Sequence, residues 1–323
     1  GNPTSAAGTF RDSHKGNSTA NKIQIGAFDT PNFIANNIRS EADLVNAIES
    51  KRPLNLVAPY LISPIWVYER IKKWGVTSPM YQARVGGEFP DMTEDTLIPL
   101  NWIEAAMEPE RHLIVQKGAL AYGVDVARFG DDRTVICPRE GDVVLPLSAY
   151  HMQDTTQTAE RVHNLLINQP QAKAFIDVVG LGAGVVDRLN QIRRELESAT
   201  GVKQWTRTFA VNAGEKADEK YMEETGLQFA NKRAELYWRL RMKFERGEIA
   251  LPQDEELANE LSLLKYKYTK EGRLIIEEKS EVKKRLLKSP DKADALMLSY
   301  AEPTAGKFIM STPSEEAIDE VDH

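Results

Sequence analysis

The sequence predicts an α/β fold in which a mixed β-sheet is flanked by helices. Two observations lead to this prediction. From about residue 119 onward, apolar runs of strand length alternate with segments of helical periodicity. The order is three strands joined by tight turns, followed by helix, strand, helix, strand and helix, so the sheet needs both antiparallel and parallel pairs. The preceding part of the chain has a mainly helical pattern, and we expect it to form a separate segment.

Composition narrows the class of protein. The chain has 323 residues, 41% of them hydrophobic, which is enough for about two domains with sizeable cores. No apolar run reaches the roughly 18 residues that a membrane span needs, so no membrane partner is expected. Cys137 is the only cysteine, which excludes an internal disulfide and a multi-cysteine zinc site. The net charge of −7 argues against coating nucleic acid through bulk charge, although it permits a local basic groove.

The first part of the chain is predicted to be loop and helix. Residues 1–35 are rich in Gly, Ser, Thr and Asn and indicate loop, with one short strand at 22–28. Helical periodicity follows at 41–50, 64–74 and 80–88, and Ser63-Pro64 is typical of a helix start. A short helix is predicted at 100–107. We expect 1–108 to be one domain with its linker, 109–305 a second domain, and the acidic segment 306–323 a disordered tail.

The second part supplies the sheet. Strands are predicted at 119–127, 133–138, 142–152, 172–178 and 205–210, with a hairpin turn at Arg139-Glu140-Gly141. Helices are predicted at 156–168, 184–197, 226–246 and 289–301, the last with Ser289 as N-cap and Pro290 at its first position. A second hairpin is predicted from 265–269 and 273–278. This succession is the order of the ribonuclease H-like fold.

Four aspartates stand where this fold would bring them together. Asp125 and Asp177 lie at the ends of apolar strands, and Asp291 and Asp294 share one face of the closing helix. Buried carboxylates repel one another unless a cation lies between them. Hard oxygen ligands suit Mg²⁺ or Mn²⁺, and two such ions are suited to cutting a phosphodiester bond. Taken singly, Asp291 is equally well explained as a helix cap, and Asp125 and Asp177 as turn residues at strand ends.

Other polar residues are weaker candidates. Asp131, in the loop after the first strand, is a candidate ligand for a second metal ion or a turn residue. Lys279 ends the second hairpin and opens a basic run that reaches Lys288, which is suited to a phosphate backbone or is simply a solvated surface. The glycine-rich stretch 179–184 indicates a tight turn between strand and helix. The helix at 226–246, with its stripe of Leu236, Leu240 and Phe244, is interpreted as mainly structural.

These segments resemble the large terminase subunit of tailed double-stranded DNA phages. YGVDVARFGDDRTVI is similar to the family's first nuclease strand, and FIDVVGLGAGVVDRL to its second acidic strand. NKRAELYWRLR, GRLIIEEKSEVKKR and SPDKADALMLSYA resemble the later helix, hairpin and acidic helix. The Asp-x-x-Asp-Ala pattern also resembles RuvC-type resolvases. Upstream, YQARVGGEFPDMTEDTLIP and GNPTSAAGTF resemble the end of the family's motor domain.

The resemblance implies a function. The family joins a packaging ATPase to a nuclease, and no glycine-rich loop with Lys-Ser/Thr is present here, so ATPase activity is not expected from this chain alone. We expect the chain to start within the ATPase domain and to contain the whole nuclease. The nuclease would cut concatemeric phage DNA with two Mg²⁺ or Mn²⁺ ions held by Asp125, Asp177, Asp294 and Asp291, with Asp125 shared between them. Lys279 would steady the scissile phosphate.

The same resemblance implies partners and a place of action. The partners would be double-stranded DNA, the portal protein and the small terminase subunit, with oligomers only in the packaging motor. The place would be the host cytoplasm, at the procapsid portal. Two alternatives remain open. One is a Holliday-junction-type resolvase on the same fold, and the other is a module that grips DNA or docks to the portal without cutting.

Overall fold

The structure is a computed structural model, and it describes residues 3, 9–14, 19, 21–89, 95–127, 133–169, 171–201, 207–286 and 288–303. The first part of the described chain is helical. Its elements are α1 (Thr9–Ser13), a 3₁₀ turn (Ala27–Asp29), α2 (Pro31–Ile34), α3 (Glu41–Glu49), α4 (Pro64–Trp74), α5 (Pro79–Tyr81) with a following π-turn (Gln82–Gly86), α6 (Leu100–Met107) and α7 (Arg111–Ile114). The helices predicted at 41–50, 64–74 and 100–107 are confirmed. Ser63 caps α4 by accepting the N–H of Trp66, as its position before Pro64 predicts.

The strand predicted at 22–28 is wrong. Residues 21–26 form no regular element, and Ile23 and Ile25 are 77% and 66% exposed. Alternating polar and apolar residues stabilise a strand only when a partner strand and a core face are available. Here the N–H of Gly26 instead bonds the Asp29 carboxylate at 2.9 Å, which begins the 3₁₀ turn.

The rest of the described chain builds a mixed sheet with helices on both faces. The sheet contains β1 (Leu120–Asp125), β2 (Thr134–Glu140), β3 (Val143–Val144), β4 (Ser148–Tyr150), β5 (Lys173–Asp177) and β6 (Arg207–Val211). The strand order is β3-β2-β1-β5-β6, with β4 also paired to β2. β1 and β2 are antiparallel, whereas β5 is parallel to both β1 and β6. This order confirms the predicted ribonuclease H-like fold.

The remaining elements follow in chain order. They are α8 (Thr155–Ile167), α9 (Gly182–Thr200), α10 (Glu219–Thr225), α11 (Lys232–Glu245), α12 (Glu255–Ser262), the hairpin β7 (Tyr266–Tyr268) and β8 (Leu274–Ile276), α13 (Lys279–Leu286) and α14 (Asp291–Ser299). Helices α10, α12 and α13 were not predicted. The hairpin of β7 and β8 is confirmed, with Gly272 at a φ of 74° in its turn.

Several predicted boundaries need correction. The first hairpin turns at Gly141, since Arg139 and Glu140 still pair with Val144 and Val143. The strand predicted at 142–152 is split into β3 and β4 around Pro146, because proline cannot donate a ladder hydrogen bond.

The predicted helix 226–246 begins only at Lys232. Gly226, with a φ of 70°, ends α10, and the side chain of Asn231 caps α11 by accepting the N–H of Ala234. The predicted cap of the last helix is also wrong. Pro290 occupies the N-cap position of α14 and makes no side-chain cap hydrogen bond, and Ser289 lies one residue before it.

The two faces of the sheet differ in what they pack against. Tyr122, Val124 and Ile176 point to one side and form an apolar cluster with α8 and α9. Ala121 and Phe175 point to the other side, into the cluster that contains α11, α12 and α14. Because side chains alternate along a strand, Asp125 and Asp177 continue this second face. The same cluster includes Phe33 and Trp74 of the N-terminal helices, so one hydrophobic core extends across residue 108. The predicted domain division stays a prediction.

Helix α14 lies directly on β1. A Cβ atom on Gly123 would lie 1.9 Å from the carbonyl oxygen of Ala295 and 2.4 Å from the nitrogen of Ser299. Only glycine permits so close an approach of helix backbone to strand backbone. Gly123 therefore sets the depth at which α14, and the aspartates in its first turn, rest on the sheet.

Candidate active site

Asp125 and Asp177 lie side by side at the carboxyl ends of β1 and β5. The parallel pairing joins Val124 to Ile176, and each aspartate comes one residue after this pair. Both side chains leave the sheet on the α14 face, because they follow the alternation of Ala121 and Phe175. Asp125 is buried, with 7% of its surface exposed, whereas Asp177 is half-buried.

Asp294 reaches the same place from the first turn of α14. Its side chain is buried, and its Oδ2 lies 2.8 Å from the Nζ of Lys279. The same ammonium is 3.8 Å from Oδ1 of Asp125. Two carboxylates that are 169 positions apart in sequence thus share one cation. Lys279 is the first residue of α13, and 44% of its side chain is exposed.

Asp177 and Asp291 lie at the margin of this pair. Oδ1 of Asp177 accepts the N–H of Val179 at 3.0 Å, in the turn that leads to α9. That turn needs glycine, because a Cβ on Gly182 would lie 1.7 Å from the carbonyl oxygen of Asp177. Oδ2 of Asp291 accepts the backbone N–H of Arg133 at 3.0 Å. The predicted ligand Asp131 lies outside the described residues, as does the acidic tail.

The ionisation of the site reflects burial and crowding of like charges. Burial, with the nearby charges of Asp294, Asp291 and Asp177, raises the pKa of Asp125 to about 7 against the lowering effect of Lys279. Burial likewise raises the pKa of Asp177. Burial would also raise the pKa of Asp294, but Lys279 and Arg233 outweigh it and hold that pKa below its ordinary value. For Lys279, burial opposes the charge, yet Asp294 and Asp125 keep its pKa above the ordinary value.

The donor set fits a hard divalent cation. The converging groups are carboxylate oxygens, the ligands that Mg²⁺ and Mn²⁺ prefer. Oδ2 of Asp294 is buried and contacts the Lys279 ammonium at 2.8 Å, so among the described residues it has a charged partner and no neutral donor. Within the described ranges no three acidic, His or Cys side chains are close enough to hold a metal ion as they stand. In this arrangement the ammonium of Lys279 supplies the positive charge between Asp125 and Asp294.

Two site residues were missed by sequence reasoning, and both come from α11. The hydroxyl of Tyr237 donates to Oδ1 of Asp294 at 2.7 Å, and Nη2 of Arg233 lies 3.4 Å from the same oxygen. One face of this helix, interpreted from the sequence as mainly structural, thus contacts the acidic site. The usable signal was the spacing, because positions 233 and 237 lie one turn apart, beside the apolar stripe that starts at Leu236.

A second missed group holds the start of α14. Glu260 of α12 is fully buried, and its Oε2 accepts the N–H of Ala293 at 3.0 Å. Burial raises the pKa of Glu260 well above its ordinary value. Arg133 links the same region to α12 through a 3.0 Å ion pair with Glu256. These contacts anchor the first turn of α14, and Asp294 with it, from below the helix.

No helix in the described part of the chain is both long enough and apolar enough to cross a bilayer.

Solved structures of phage nuclease domains have a similar architecture. A mutant form of the large terminase subunit of bacteriophage Sf6 with calcium is 26% identical, with a TM-score of 0.53, and the match covers 64% of this chain and all of that one. The nuclease domain of the same subunit is 24% identical, with a TM-score of 0.53, and the match covers 65% of this chain and all of that domain. A mutant form of that domain with manganese is 25% identical, with a TM-score of 0.52, over 64% of this chain and all of that chain. No protein-family model and no curated protein sequence matched.

Proposed function

From its likeness to the nuclease domain of large terminase subunits, which confirms the resemblance seen in the sequence, we propose that this chain is a metal-dependent endonuclease. Its substrate would be concatemeric double-stranded phage DNA, cut during genome packaging. The observation that supports the proposal best is the meeting of two buried carboxylates, Asp125 and Asp294, at the single ammonium of Lys279. Buried carboxylates so close together are costly unless a positive charge neutralises them, and a divalent cation would supply that charge.

The residues that would hold Mg²⁺ or Mn²⁺ are Asp125, Asp177, Asp291 and Asp294, as the oxygen-only donor set suggests. Held by these residues, such cations would supply an activated water as the nucleophile and positive charge for the leaving 3′ oxygen of the phosphodiester. The manganese and calcium in the similar Sf6 structures support divalent-cation binding at a site of this kind.

The chain's own side chains would prepare the site and position the DNA. Lys279 lies between Asp125 and Asp294, and its partly exposed side chain could turn its ammonium towards a phosphate oxygen of bound DNA. Lys283 and Lys284, on the exposed side of α13, extend this positive surface away from the acids. The phosphate backbone would thus be attracted beside the carboxylates, while the carboxylates themselves stay buried.

The resemblance also supports two proposed protein partners. They are the portal protein and the small terminase subunit, met in the host cytoplasm at the procapsid portal, with oligomers only in the packaging motor. ATP hydrolysis is not proposed for this chain alone. Little sequence preference is expected in cutting, because the chain shows no motif that reads a DNA groove.

Plasmid cleavage in the presence of Mn²⁺ tests the function. Asp125→Ala and Asp294→Ala should each lose at least about a hundredfold in cleavage rate, because each removes a carboxylate at the metal site. Asp187→Ala is the matched control, since Asp187 is exposed on α9 at the other face of the sheet. Full activity in the Asp125 and Asp294 variants would reject this site. Preference for four-way junctions over linear duplex would indicate a resolvase, and DNA binding without any cleavage would indicate a gripping module.

A further inference from the structure

The two oxygens of the Asp294 carboxylate meet different kinds of partner. Oδ1 accepts the Tyr237 hydroxyl at 2.7 Å, with Nη2 of Arg233 at 3.4 Å. Oδ2 meets the Lys279 ammonium at 2.8 Å, on the side that faces Asp125. The two oxygens therefore have different surroundings. Oδ1 accepts from side chains of α11, and Oδ2 faces the rest of the acidic site.

The partners of Oδ1 are held firmly in place. Tyr237 is fully buried, and the guanidinium of Arg233 lies 5.0 Å from the centre of its ring. Nη1 of Arg233 donates to the carbonyl oxygen of Glu277 at 2.9 Å, and the backbone N–H of Arg233 donates to Ala213 at 2.8 Å. Both donors are thus fixed by their own helix, by the end of the β7–β8 hairpin and by the segment after β6.

The partner of Oδ2 is of the opposite kind. Lys279 is 44% exposed and stands at the start of α13, on a flexible four-carbon side chain. An ammonium of this kind can leave, whereas a buried hydroxyl and a buried guanidinium hydrogen-bonded to a backbone carbonyl cannot. Oδ1 of Asp294 therefore keeps its donors, whereas the partner of Oδ2 can be exchanged.

We propose that Arg233 and Tyr237 are positioning residues that reserve Oδ1 of Asp294 for the protein and so present Oδ2 alone to a divalent cation. This inference rests on the proposed metal-dependent function. A buried carboxylate without fixed donors can rotate or bind a cation through both oxygens, and the fixed donors remove these alternatives. Outer groups that orient a ligand in this way contribute about 10- to 100-fold to metal affinity.

Calorimetric titration of the metal-free protein with Mn²⁺ tests the proposal without a nuclease assay. Tyr237→Phe removes the hydroxyl and keeps the ring that packs in the core, so Mn²⁺ affinity should fall about 10- to 100-fold. Tyr122→Phe is the matched control, because Tyr122 is a buried tyrosine on the opposite face of the sheet and its removal should leave the affinity unchanged. A Tyr237→Phe affinity within twofold of wild type would overturn the proposal.

Arg233→Lys provides the second variant should Tyr237→Phe fail to fold. A lysine keeps the positive charge but cannot reach both Asp294 and the carbonyl of Glu277, so Mn²⁺ affinity should again fall at least about tenfold. Wild-type affinity in this variant would show that charge alone suffices and would overturn the positioning role. If the wild type itself neither binds Mn²⁺ nor cuts DNA, the proposed function fails together with this inference. If it does both and the variants bind equally well, the positioning role alone fails.

Discussion

The two faces of the same sheet differ in chemistry at the carboxyl ends of β1 and β5. On the α8 and α9 face, strand side chains such as Val124 and Ile176 meet apolar helix residues. On the α14 face, the next residues along the same strands are Asp125 and Asp177, under a helix that supplies Asp294. Because one strand serves both faces, the period-two alternation lets a stable apolar core and a strained acidic site stand one residue apart. The apolar face stabilises a fold whose other face carries unfavourable burial of charge.

The largest effect is expected where α14 packs closely on β1. Gly123→Ala would place a Cβ 1.9 Å from the carbonyl oxygen of Ala295, so α14 must shift away from β1. We expect a loss of about 4 kcal/mol or more in the free energy of unfolding, measured by urea denaturation.

The matching change on the other face is Gly184→Ala in α9. Its new Cβ would lie 3.4 Å from Cγ2 of Thr155, an ordinary contact, and alanine favours the helix by about 0.5–1 kcal/mol. Equal denaturation midpoints for the Gly123 variant and the wild type would show that α14 does not depend on this close approach.

The next difference is in the response to pH. Asp125 has a pKa of about 7 in the folded protein, against an ordinary value of 3.8. Between these values the folded protein retains a proton that the unfolded chain has released, so the metal-free protein should lose stability as pH rises from about 4 to about 7. Asp125→Asn should therefore be more stable than wild type by about 4 kcal/mol at pH 8, and nearly equal to it at pH 4.

Thermal or urea unfolding at both pH values measures this, with Asp187→Asn on the exposed side of α9 as the control that should show no such pH dependence. A stability difference between Asp125→Asn and wild type that does not grow with pH would mean that the acidic face is not strained by charge.

The smallest expected effect concerns the apolar face alone. Val162 is buried in α8, and Val162→Ala should lower the free energy of unfolding by about 1 to 2 kcal/mol through lost apolar contact. The loss should be the same at pH 5 and pH 8, and Mn²⁺ affinity in calorimetry should not change. A loss that varied with pH would show that the two faces are coupled rather than independent.

Much of the fold could be predicted because local sequence patterns determine many of its elements. Strand β1, helices α4 and α6 and the β7–β8 hairpin follow from apolar periodicity, cap residues and turn glycines. The strand predicted at 22–28 failed because residues 21–26 show a strand-like alternation but have no partner strand, and the short helix α12 was not predicted. Proline at 290 suggested a first helical position, whereas it stands one residue before the helix.

By itself the sequence determined which carboxylates end strands, Asp125 and Asp177, and which share a helix turn, Asp291 and Asp294, because these relations depend only on the periods of strand and helix. Only the tertiary structure decided that Lys279 lies between Asp125 and Asp294, and that Tyr237 and Arg233 take one oxygen of Asp294. Those contacts join residues 15 to 154 positions apart, and their distances depend on how closely α11, α13 and α14 pack on the sheet. All the side chains of the core together determine these packing distances, so no local sequence pattern predicts them.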